Sequence, residues 1–250
     1  MTSEPWTSRR SWRSTVPDIA SVPRYALYYV PAPDSPLWLY GCAVLGYDAV
    51  RGCDVPHATP EGWLADDWRA ATAEPRRYGF HATLKAPFRL AEGRTEADLR
   101  HAMEAFSVGR EPAQLGTLRV ATIGNFVALV PQEQGHELLA LAAAIVTTFE
   151  PLRAPLSAED YARRRPEALP ARERAYLDRF GYPYVLDAFR FHMTLSGRLP
   201  PERIDQTRKA LETGLLPVVP LPTCVDRIAL CAQPSPGARF RVLATAPFRR

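Results

Sequence analysis

Two short stretches constrain this chain more than anything else in it. Residues 77–85 read Arg-Tyr-Gly-Phe-His-Ala-Thr-Leu-Lys, and residues 188–196 read Ala-Phe-Arg-Phe-His-Met-Thr-Leu-Ser. Both alternate with period two, the pattern of a strand buried on one side. In the first, Tyr78, Phe80, Ala82 and Leu84 share a face, and Arg77, Gly79, His81, Thr83 and Lys85 share the other. In the second, Phe189, Phe191, Met193 and Leu195 oppose Arg190, His192, Thr194 and Ser196. A helix-like segment and two strand-like segments follow each: 95–106 and 118–130 after the first, 201–213, 225–231 and 239–246 after the second. This is an internal repeat. Duplicated halves commonly pack about a pseudo-twofold axis, which brings the two histidine strands to one cleft.

The rest of the chain predicts an α+β protein with antiparallel sheets. Residues 24–30 are aromatic and β-rich, and Pro31 closes them as a strand. Helices are expected over 61–73, over 95–106 with Thr95 as N-cap, and over 136–149. Gly124-Asn125 is the turn of a hairpin. Residues 150–185 differ in texture, with many Arg, Pro and Tyr and nearly as many acids; they read as an inserted helical segment, partly solvated. Residues 1–22 lack periodicity and an apolar leader core and read as a frayed tail, leaving 23–250 as a single domain.

Composition bounds the function. With 250 residues, 46% hydrophobic and 23% charged, the chain has ordinary globular usage. It carries no apolar run long enough for a membrane span. A net charge of +4 suits an anionic substrate without demanding nucleic acid. Cys42, Cys53, Cys224 and Cys231 form no metal-ligand or redox spacing, so reduced thiols and a cytoplasmic setting are expected, with no metal and no cofactor.

The two polar strand faces carry the chemistry. Each presents an imidazole and, two residues on, a hydroxyl; same-face neighbours on a strand lie roughly 6–7 Å apart. Such a His can reach a reacting oxygen while the Thr holds an adjacent phosphate oxygen. Histidine titrates near neutrality, so one copy can be base and the other acid at the same pH. A single His-x-Thr means little: His57-Ala-Thr59 is a third copy, in a proline-bounded loop without alternating flanks. Two copies, each preceded by Phe and each heading the same order of elements, form a pair.

These strings resemble the paired motifs of the 2H phosphoesterase superfamily. The longer strings 24–29, 75–88 and 180–187 resemble its bacterial DUF1045, or phosphonate metabolism, subfamily, and the resemblance covers about residues 23–249. It implies a duplicated two-lobe fold around a central cleft with helices outside. It also implies that His81 and His192 are the acid–base pair and that Thr83 and Thr194 bind phosphate. The subfamily's association with phosphonate pathways implies a cyclic, phosphorylated ribose phosphate as substrate.

Further candidates flank the pair. Lys85 shares the His81 face, either neutralising phosphate or lying at a rim. Arg77 and Arg190 precede the two histidines on the same faces, as phosphate clamps or as solvated surface. Tyr28 either lines the cleft or packs in the core. Tyr182 and Tyr184 flank Pro183 as candidates for stacking or for turn packing. The leading reading is metal-independent hydrolysis of a small cyclic phosphodiester. Alternatives are an RNA or nucleotide 2′,3′-cyclic phosphodiesterase, disfavoured because no basic stripe with interleaved aromatics is present, and a non-catalytic nucleotide- or RNA-binding module, which would need no titrating pair. Oligomeric state and the assignment of acid and base are not legible in the sequence.

Overall fold

The structure is a computed structural model that describes residues 22–215, 217–218 and 223–249. The expected N-terminal tail lies outside the described residues except for Val22. The chain opens with β1 (Arg24–Tyr29), α1 (Pro36–Leu45) and a small hairpin of β2 (Tyr47–Asp48) and β3 (Cys53–Asp54). Two short helices, α2 (Ala65–Ala71) and α3 (Ala73–Arg76), lead into β4 (Ala82–Phe88) and α4 (Glu96–Ser107). Then come β5 (Ala113–Gly116), β6 (Leu118–Ile123), β7 (Phe126–Pro131) and α5 (His136–Thr148). The insertion supplies α6 (Ala158–Ala162) and α7 (Ala171–Phe180). The second half follows with β8 (Met193–Thr194), α8 (Pro201–Leu215), β9 (Thr223–Val225), β10 (Arg227–Gln233) and β11 (Arg241–Pro247).

Local chemistry sets the helix ends. Ser35 caps α1 by accepting from the Trp38 amide, Pro36 fills its first turn, and Gly46 closes it at φ 70°. Thr95 and Asp98 cap α4 reciprocally, and Leu99, Met103 and Phe106 bury one face. The six residues of β1 lack alternation because both faces of the strand are buried, while β10 and β4 flank it within the sheet.

All ladders within named strands are antiparallel, and seven strands run in the order β11-β10-β1-β4-β8-β7-β6. The seam between β4 and β8 is one residue pair, Ala82 with Met193. The sheet therefore consists of two antiparallel lobes joined edge to edge at the two histidine strands. Each half completes the other. The β6–β7 hairpin of the first half borders β8, and the β10–β11 hairpin of the second borders β1. The helices cross over in the same way, α4 onto β10 and β11, α8 onto β6 and β7. A small ladder between β5 and β9, the strands that follow α4 and α8, repeats the symmetry. Each half thus has three strands after its helix, where two were expected.

Both alternating stretches are only partly strand. Residues 77–79 continue the turn of α3, with the Tyr78 and Gly79 amides donating to the Pro75 carbonyl, and the strand begins at Ala82. Before β8, the Ala188 and Phe189 amides close a 3-10 turn over 186–188, so the strand shrinks to two residues. Polar and apolar residues alternate in these turns as well, and a period of two does not distinguish them from strand.

Candidate active site

His81 and His192 each sit one residue before their strand. Extending the Ala82–Met193 register by one residue each way sets His81 across from Thr194 and Thr83 across from His192. Directly opposed strand residues lie about 4.5–5.5 Å apart, and diagonal ones about 7–8 Å. The two histidines therefore flank the one-pair seam, near enough for His192 to act electrostatically on His81. Ala82 and Met193, between them, point into the core at 1% and 0% exposure.

The two rings are held alike. His81 Nδ1 lies 2.9 Å from the Gly79 carbonyl, and His192 Nδ1 lies 2.8 Å from the Arg190 carbonyl. A carbonyl only accepts, so both rings carry their neutral-form proton on Nδ1 and leave Nε2 free as an acceptor. His81 Nε2 is 3.2 Å from Thr83 Oγ, which donates to it. Beneath His81 the buried Tyr28 ring stacks at 3.8 Å between centroids and 25° between planes. Phe126 lies 6.0 Å from His192, centroid to centroid.

Burial pushes the His81 imidazole down to about 4; the Gly79 carbonyl opposes this, and the nearby His192 adds to it. His81 is accordingly a neutral acceptor at neutral pH. The cavity in front of it has a volume of about 330 Å³ and is lined by His81, Tyr78, Asn125, Phe126, Thr194 and Arg198, among others.

The other candidates go elsewhere. Lys85 is buried at 3% exposure, donating to Glu150 Oε2 at 2.7 Å and to the Val146 carbonyl at 3.3 Å beneath α5; it does not line the cavity. Arg77 is an exposed residue at the end of α3 and lines a different cleft. Arg190 is exposed and turns back onto the carbonyls of Asp187 and Phe189. Ser196 is the exception: it lines the cavity and, buried, accepts from the Val127 amide and donates to the Gly197 carbonyl, and so ties β8 to β7. His57 is structural, bonded to the Val44 carbonyl and Thr72. Tyr182 and Tyr184 pack edge to face at 5.6 Å, with Tyr184 51% exposed.

Several cavity residues escaped the sequence reading, Arg198, Asn125 and Gly79 among them. Arg198 continues the parity of His192, Thr194 and Ser196, so its signal was present one step beyond the strand. Asn125 arrives with the hairpin turn, and no local pattern gives its direction. Gly79 carries the carbonyl that orients His81 and sits at φ 76°, with Ala49 2.7 Å from where a Cβ would stand. Among the described residues no group of three or more His, Cys, Asp or Glu could hold a metal ion, and no helix is long and apolar enough to cross a membrane.

The DUF1045 family, described as a protein of unknown function, has a profile that matches residues 83–241, more than half of the chain. The chain belongs to the DUF1045 family. The match begins just after His81, so it contains His192 and both threonines. Two curated relatives resemble this DUF1045 chain, both called ribose 1,5-bisphosphate phosphokinase PhnN. The protein from Janthinobacterium sp. (strain Marseille) is 38% identical over 91% of this chain and 51% of its own length. The one from Laribacter hongkongensis (strain HLHK9) is 36% identical over 88% and 50%. The chain thus spans about half the length of the curated relatives it matches. Among solved structures, E. coli LigT complexed with 3′-AMP aligns at TM-score 0.43 and 13% identity, covering 91% of this chain and 98% of that one. A structure titled phosphoesterase aligns at 0.40 and 14%, covering 91% and 98%. Both likenesses are too remote to carry a conclusion.

Proposed function

We propose that this chain is a phosphodiesterase that opens a cyclic phosphate ester on a ribose by two-histidine acid–base catalysis. The supporting observation is the matched pair of imidazoles, one on each side of the seam, each with Nδ1 tied to the carbonyl two residues back so that Nε2 is the acceptor. His81, neutral at working pH, takes the proton of an attacking water through Nε2. His192, protonated, gives its Nε2 proton to the sugar oxygen that leaves phosphorus. The P–O bond to the water forms as the ring P–O bond breaks, and the product is a phosphate monoester with a free hydroxyl. Thr83 and Thr194 donate to the non-bridging oxygens, and Arg198 at the cavity wall offsets their charge. Thr83, which donates to His81 Nε2, turns to phosphate when substrate binds.

The kinase activity in the relatives' name is not carried over. A nucleotide phosphate loop needs Gly-x-x-x-x-Gly-Lys followed by Ser or Thr, and neither of this chain's two lysines, Lys85 and Lys209, follows a glycine. The ribose 1,5-bisphosphate in that name does agree with a phosphorylated ribose as substrate. The test is a turnover screen of ribose cyclic phosphates and 2′,3′-cyclic nucleotides in EDTA. Turnover of a ribose cyclic phosphate that vanishes in His81→Ala and His192→Ala is expected; wild-type turnover in either variant removes the mechanism.

A further inference from the structure

Behind Tyr78 lies a second cleft. It forms where the start of β1, the end of β4, the β10–β11 turn and α6 meet, as two connected cavities of about 460 and 220 Å³. Arg24, Arg89, Asp160 and Arg163 line both. The charged lining is Arg24, Arg77, Arg89, Arg163 and Arg164 against Glu159 and Asp160. The two acids are already engaged: Asp160 pairs with Arg89 and Arg163, and Glu159 with Arg163. Among the described residues, Arg24, Arg77 and Arg164 have no carboxylate partner. Arg24 forks onto the neutral amide oxygen of Gln233 at 2.8 and 2.5 Å. Arg164 lies over the Tyr182 ring at 5.1 Å. Arg89 Nε is buried without a partner. Guanidinium groups gathered without enough acid repel one another, and their planar forks match a phosphate oxygen pair.

The position of this cleft says which anion. Tyr78 lines both the histidine cavity and the arginine cleft. Its ring centre is 6.3 Å from that of His81, and it stacks on Phe240 at 5.3 Å. Arg24 also lies near enough to Tyr28, under His81, to act on it electrostatically. Tyr78 is thus the side chain that the His81 cavity and the arginine cleft have in common, so a ligand in the cavity and an anion in the cleft sit against the same residue.

We propose that the arginine cleft is a second anion subsite, which binds a terminal phosphate monoester carried on the same molecule as the cyclic phosphate. The proposal rests on the phosphodiesterase reading of the histidine cavity and names its substrate class: a doubly anionic sugar phosphate. The monoester remains chemically unchanged, and the subsite acts on KM more than on kcat.

The experiment compares ribose 1,2-cyclic phosphate with its 5-phosphorylated form, using wild type, Arg24→Gln and Arg164→Gln. Wild type is expected to favour the phosphorylated ester in kcat/KM, mainly through KM. Each substitution should reduce that ratio about 10-fold or more, as loss of a charged hydrogen bond does. Arg164→Gln leaves β1 untouched and guards against a folding defect at Arg24. Equal kcat/KM for the two esters in wild type, or a ratio unaltered in both variants, overturns the subsite. If wild type turns over neither ester, the phosphodiesterase reading falls. The subsite is then decided by calorimetry with ribose 5-phosphate: binding weakened in both variants supports it, while equal affinity in all three proteins or no measurable binding overturns it.

Discussion

At the residue scale His81 carries the site's pH response. Burial holds the His81 imidazole at about 4, against an ordinary 6.5. Because kcat/KM reports free-enzyme groups, its acidic limb should fall as pH drops through about 4, when His81 is protonated and ceases to accept. His81→Ala and His192→Ala should each lose about 10²–10⁴-fold in kcat/KM, and the double variant less than the product. An ester with a good leaving group needs no acid, so it should rescue His192→Ala and not His81→Ala; the reverse result exchanges their roles. The same shift bears on stability. Between pH 6.5 and 4 the unfolded chain binds the His81 proton and the folded chain does not, so stability falls as pH falls through that window. His57, also lowered by burial, acts in the same direction. His81→Gln should therefore lose less stability than wild type from pH 6.5 to 4, as measured by urea unfolding. Equal slopes would show that the His81 ring is solvated.

At the element scale the site depends on close backbone approach. Gly41 in α1 lets the Phe80 ring lie against the helix, with ring atoms 2.1 Å from where a Cβ would stand. Gly41→Ala should displace Phe80, the residue before His81, and cost about 1–3 kcal/mol by overpacking. Gly79→Ala adds a left-handed strain of about 1–2 kcal/mol and moves the carbonyl that orients His81. Its kcat should fall well beyond what the Tm change explains; full activity would mean that the carbonyl is dispensable. Lys85 makes the contrast. It pairs with Glu150, which Arg153 also holds, so Lys85→Met leaves Glu150 partnered. A lowered Tm with turnover within a few-fold of wild type is expected. The sequence could not separate Lys85 from the site, because its parity matches His81 while the helix that covers it, α5, begins some fifty residues later.

At the scale of the whole molecule the two halves are interdependent. The strands β6 and β7 reach β4 only through β8, and β1 has β10 as its outer neighbour. Fragments 22–165 and 166–249 should each fail to give a cooperative unfolding transition and should regain it when mixed. A folded, monomeric first fragment would contradict that dependence. The insertion between the halves packs Phe180 and Val185 against Val146 of α5 as a small satellite core, and adds Arg163 and Arg164 to the second cleft.

The sequence by itself determined the repeat, the pair of histidines with their threonines, the antiparallel α+β class and most helix ends. These rest on local pattern: periodicity, caps and turn residues act within a few positions. Tertiary structure alone decided that Arg77 and Arg190 turn away while Asn125 turns in. It also decided that the strands stop short of both histidines, and that each hairpin completes the opposite half. A period of two reports parity and nothing about where a turn ends it. Which side of a sheet edge faces a cavity is set by the element packed across it, and that element comes from the other half of the chain.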